Sequence, residues 1–63
     1  MELLEKLRQI LSEKQISMFY DEAYKKGIDV KKIDTSIPII YSSKYKIVTC
    51  FLKNRKFVEL YVG

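Results

Sequence analysis

The stretch from Tyr45 to Val62 constrains this chain more than any other. Two runs rich in β-branched and aromatic residues, Tyr45–Leu52 and Phe57–Val62, flank a polar tip of Lys53-Asn54-Arg55-Lys56. Such a pattern reads as a β-hairpin. A loop of odd length, such as Asn54-Arg55-Lys56, pairs Leu52 with Val58 and Cys50 with Leu60. One face then collects Val48, Cys50, Leu52, Val58, Leu60 and Val62. The other carries Ile47, Thr49, Phe51, Phe57, Glu59 and Tyr61. An even loop mixes the two sets, because a slip of one residue turns every side chain of a strand to the opposite face. The odd loop is preferred because it separates aliphatic from aromatic and polar side chains. Asn54 is the tip residue that best tolerates positive φ.

In either register both faces are too apolar to be left in water. The rest of the chain supplies two short helices, enough to cover one face. The second face therefore needs a partner. An isologous homodimer supplies one, and a different protein partner is the rival. Phe51, Phe57, Tyr61 and Ile47 are the candidate interface residues. A partner also answers a stability problem. A chain of 63 residues makes a single small domain, and chains of that size bury only about 60% of the surface they expose when unfolded.

The N-terminal half is helical. Leu3, Leu4, Leu7, Ile10 and Leu11 form one apolar stripe at helical period. The next set, Ile16, Phe19, Tyr20, Ala23 and Tyr24, is out of phase with it, which predicts helices over 2–13 and 17–26. A break near Glu13–Ser17 has Ser17 as N-cap; a single bent helix over 2–26 is the alternative. Lys25, Lys26 and Gly27 make a good stop, with Gly27 in the left-handed conformation. Residues 29–34 read either as a short helical turn capped by Asp29, with Ile33 inward, or as a polar connector. Ile37–Tyr41 reads as a first strand at a sheet edge, since Pro38 has no N–H to donate. The fold class is thus α+β: two helices, then a three-stranded antiparallel meander over 37–41, 45–52 and 57–62.

Ala23, Gly27, Ile28 and Ile33 have the spacing of the small residue, turn glycine and buried aliphatics of helix-turn-helix DNA-binding proteins. Over about 17 residues the chain resembles that family. Glu22 and Lys26 depart from it, standing where apolar residues are usual, and Ile37-Pro38 cuts short the second helix. The resemblance implies a winged-helix-like arrangement. In it Lys31, Lys32 and Thr35 face the groove or the phosphates, and the hairpin forms the wing.

Charge points the same way. The net charge is +4. Residues 1–35 balance, whereas residues 36–63 hold Lys44, Lys46, Lys53, Arg55 and Lys56 against Glu59 alone. A one-sided basic surface is the footprint of a polyanion binder. The plainer reading is that these cations keep a hairpin soluble and block edge pairing. Rings interleaved with cations on a sheet also suit single-stranded nucleic acid, although the same rings serve equally as cross-strand pairs.

Several classes are set aside. One Cys and no His exclude an intramolecular disulfide and a four-ligand N/S zinc site, and no cofactor motif is present. Cys50 reads as a buried small hydrophobe, and Glu59 as the partner of a cross-strand Lys. The charged first helix gives no apolar leader core, no run approaches a membrane span, and an unpaired Cys fits a reducing, cytoplasmic setting. The leading expectation is a non-enzymatic nucleic-acid-binding regulatory protein that contacts phosphates through the hairpin tip, with Lys31 and Lys32. A protein–protein interaction module using the aromatic face is the alternative. A small ribonuclease toxin working through Lys, Arg and Tyr ranks third.

Overall fold

A computed structural model describes residues 2–63. Helix α1 spans Leu3–Ile10 and helix α2 spans Glu13–Lys25. The break falls at Leu11-Ser12, earlier than the residue pattern suggests. Ser12 is the N-cap of α2, and Ser17 lies within that helix, exposed. The cause is a reciprocal capping box. The Gln15 amide donates to the Ser12 hydroxyl at 3.2 Å, and the Ser12 amide donates to Gln15 Oε1 at 3.1 Å. Leu11 before the cap and Ile16 in the first turn are both buried, occupying the two positions of a hydrophobic staple. Leu11 thus belongs to the core without belonging to the first helix.

The far end of α2 stops as expected. Gly27 has φ +69°. Its amide donates to the Tyr24 carbonyl at 3.1 Å, and the Ile28 amide donates to the Ala23 carbonyl at 2.9 Å. This pair of bonds is a Schellman motif. Asp29 then caps a 3-10 turn, Val30–Lys32, through a 3.0 Å bond from the Lys31 amide, and Ile33 is buried. The winged-helix expectation fails here. Three residues of 3-10 helix stand where a recognition helix would have to lie, because Asp34 and Ser36 divert the chain into a turn toward Pro38. The Ser36 amide donates to Asp34 Oδ1 at 2.9 Å.

Three antiparallel strands follow in the order β1-β2-β3: Ile40–Ser42, Ile47–Phe51 and Phe57–Tyr61. The meander is as expected and the strands are shorter. Ile37, Pro38 and Ile39 precede β1 rather than open it, and Tyr45 and Lys46 belong to the turn before β2. In the hairpin, Cys50 faces Val58, Val48 faces Leu60 and Phe51 faces Phe57. The loop is odd, as argued, but it is Lys53-Asn54-Arg55. The Leu52 amide donates to the Lys56 carbonyl at 2.7 Å and the Arg55 amide to the Leu52 carbonyl at 3.0 Å. Each pairing is therefore two residues from the expected one, while every side chain keeps its expected face. Arg55, not Asn54, takes positive φ, at 68°. Asn54 instead accepts from the Lys56 amide at 3.1 Å.

The helices lie on the aliphatic face. Leu7, Leu11, Ile16, Phe19, Ala23, Ile33, Val48, Cys50, Leu60 and Val62 form one buried cluster. Gln15 reaches from α2 to donate to the Tyr41 hydroxyl at 3.0 Å. Tyr24, expected on the inner stripe of α2, points to solvent and is 87% exposed.

Candidate nucleic-acid interface

The site starts from a backbone contact. Ile33 bridges to Leu52, with the Asp34 amide donating to the Phe51 carbonyl at 2.7 Å and the Lys53 amide to the Lys32 carbonyl at 2.8 Å. The segment after the 3-10 turn is thus held beside the end of β2 by an isolated bridge. It ties Lys31 and Lys32 to the hairpin tip. Five of the seven candidate cations, Lys31, Lys32, Lys53, Arg55 and Lys56, therefore stand at one end of the molecule, all exposed. Among the described residues the ion pairs are Arg8–Glu13 at 3.5 Å and Lys26–Glu22 at 3.7 Å, and neither involves this end.

Lys44 and Lys46 are not part of this cluster. They lie in the turn between β1 and β2, at the opposite end of the sheet. Lys44 Nζ sits 5.3 Å from the centre of the Tyr45 ring. Lys46 joins Ser12, Lys14 and Gln15 around a shallow hollow on the helix side. The seven lysines and arginines nominated from the sequence thus divide into two groups, roughly 20 Å apart at the usual rise of a strand.

Asp34 tempers the tip end. Its carboxyl is held below the usual range first by the Ser36 hydroxyl, then by the Ser36 amide, and further by Lys53 and Lys6. This acidic neighbour was not foreseen. Its sequence signal is Asp34-Thr35-Ser36, an aspartate two residues before a serine, which favours a local side-chain-to-backbone turn.

The sheet face away from the helices carries the four candidate interface residues together. Phe57 is 60% exposed and Tyr61 52%, while Phe51 and Ile47 are half-buried. The Phe51 and Phe57 rings sit directly across the two strands, 6.0 Å between centres. Ile40, which was not nominated, pairs with Thr49 on this face and is 61% exposed. Glu59 stands between Phe57 and Tyr61, opposite Thr49. A cross-strand Lys is therefore not its neighbour. A lysine does reach its backbone: Lys26 Nζ donates to the Glu59 carbonyl at 3.1 Å, on the open edge of β3.

Cys50 is fully buried, and burial pushes its thiol up to about 11. That makes it a packing residue and a poor nucleophile. No group of three or more His, Cys, Asp or Glu able to hold a metal occurs among the described residues, and no helix there is long and apolar enough to cross a membrane. Comparison with protein-family models, with curated proteins and with solved structures finds no match to this chain.

Proposed function

We propose that this is a small, non-enzymatic nucleic-acid-binding protein of the cytoplasm that holds phosphates at the end formed by the hairpin tip and the 3-10 turn. The observation that carries the reading is the 2.8 Å bond from the Lys53 amide to the Lys32 carbonyl. It gathers five exposed cations from two separate stretches of sequence, with Asp29 and Asp34 as the acidic groups nearby. Backbone conformation adds support. Arg55, in the tip, holds φ at 68°. Left-handed backbone costs an L-residue about 1–2 kcal/mol, and glycine or asparagine is the usual choice there. A cation kept at such a position supports a use for its charge.

Binding of this kind is dominated by release of counterions, so its logarithm falls linearly with the logarithm of salt concentration. Replacing Lys53, Arg55 and Lys56 together by Ala is expected to weaken binding to DNA and RNA by more than tenfold at low salt. The slope should fall by roughly 2–3 units, one phosphate contact per side chain. Fluorescence anisotropy across a salt series measures both. A triple variant that binds as wild type does would remove the tip from the reading. Cleavage of the RNA probe during the titration would favour the ribonuclease alternative instead.

A further inference from the structure

From the continuity of the basic end with the outer face of the sheet, we infer that the ligand is single-stranded and that Phe57 and Tyr61 stack its bases. The inference rests on the phosphate-binding reading above and names the ligand class. Lys53 lies two residues beyond Phe51, and Lys56 directly precedes Phe57. The first side chains beyond the cations are then the Phe51–Phe57 ring pair, and the next ring is Tyr61. Phe57 and Tyr61 are four residues apart on one strand and share a face, so their rings lie roughly 13 Å from each other along β3. Both offer more than half of their surface to solvent. A strand with its phosphates on Lys53, Arg55 and Lys56 can lay bases on these rings. A duplex keeps its base faces stacked inside and has no use for them.

Glu59 decides between occupants. It sits midway between the two rings. Its charge repels phosphate from the middle of the face, leaving the backbone at the basic end, and its oxygens accept hydrogen bonds from base amino groups. A second copy seated on this face about a central two-fold axis would instead bring two Glu59 carboxylates together in a desolvated interface, which is costly. Pairing of two β3 edges would have to displace Lys26 from the Glu59 carbonyl. The charge on this face and the basic end beside it therefore favour a strand of nucleic acid over a second copy.

The test compares a labelled mixed-sequence twelve-nucleotide strand, as DNA and as RNA, with its own duplex. The variants are Phe57→Leu, Tyr61→Leu and Phe57→Trp, each checked for folding by circular dichroism. Wild type should bind the single strand at least tenfold more tightly than the duplex. Each leucine variant should lose roughly tenfold on the single strand with an unchanged salt slope, since no charge is removed. Phe57→Trp should keep the affinity, and its indole fluorescence should be quenched on binding. Equal affinity for duplex and strand, with leucine variants indistinguishable from wild type, would overturn the inference and leave the phosphate-binding end standing. No binding to either probe would overturn both. A dimer in sedimentation equilibrium that dissociates in the leucine variants would give the face to a second copy and overturn it as well.

Discussion

Arg55 shows how a single residue can serve two opposed demands. The three-residue loop needs one position with positive φ to bring β3 back beside β2, and Arg55 fills it at 68°. Glycine would fit with less strain, offset in part by the greater freedom it gives the unfolded chain. Arg55→Gly is therefore expected to stabilise the fold by about 0.5–1 kcal/mol, a rise of a few degrees in Tm for a domain of this size. It should also weaken single-strand binding and lower the salt slope by about 0.7. A urea melt beside a salt titration checks both halves; a variant that is stabilised and binds unchanged would leave Arg55 with no electrostatic role. Cys50 makes a second prediction at this scale. Its folded pKa, about 11, lies above the ordinary 9.0. The unfolded chain therefore loses the thiol proton first as pH rises, and stability falls with pH above about 9. Below 9 the thiol is protonated in both states and exerts no pH dependence. Cys50→Val should flatten this alkaline loss relative to wild type.

Helices and strands differ in how far the sequence reveals them. Strand faces were legible because alternation has a period of two. Any odd loop puts Val48, Cys50, Val58 and Leu60 on one side, so the two-residue difference in pairing left the inner and outer faces unchanged. The exact partners were not legible, because Asn54, the tip residue best suited to positive φ, does not take it; Arg55 does. The helix break was misplaced for a related reason. Leu11 extends the apolar stripe of α1 in sequence, although its backbone is already extended (φ −127°, ψ 152°). The signal that fixes the break is the spacing Ser12-x-x-Gln15, a local feature that hydrophobic periodicity ignores. The basic end was half legible: the cations could be counted, but the bond between the Lys53 amide and the Lys32 carbonyl is a long-range contact with no local signature. The division of Lys44 and Lys46 from the rest follows from the strand between them. Ser12 offers a direct test. Ser12→Ala removes the hydroxyl that accepts from the Gln15 amide and should cost about 1 kcal/mol, with faster hydrogen exchange at the first amides of α2. Ser17→Ala should change stability by less than about 0.5 kcal/mol, since an exposed serine within a helix has no cap to lose. The opposite order would restore the break to Ser17.

At the scale of the whole molecule, the structure is a sheet with one covered face and one open face, 26 × 24 × 18 Å across its Cα atoms. Two phenylalanines of equal volume sit on opposite sides of that division. Phe19 is fully buried between α2 and the sheet, whereas Phe57 is mostly exposed and touches Phe51 across the hairpin. At roughly 0.05–0.15 kcal/mol per residue, a chain of this length has about 3–9 kcal/mol of stability to lose. Truncating a core phenylalanine to alanine removes about 3–5 kcal/mol, so Phe19→Ala should forfeit a third or more of that stability. Phe57→Ala forfeits little beyond the ring pair, about 1 kcal/mol, and should fold. The comparison bears on the open face as well as on the core. If the isolated chain is monomeric, the Phe57→Ala cost is the same at every protein concentration, and the melting temperature of wild type does not depend on concentration. If the face is buried against another copy, Phe57→Ala costs as much as a core truncation, and wild-type stability rises with concentration. Urea and thermal melts of the two variants over a hundredfold range of concentration separate these cases. Concentration-independent melts, with Phe19→Ala destabilised far more than Phe57→Ala, would leave the aromatic face free in solution, where a nucleic-acid strand can reach it.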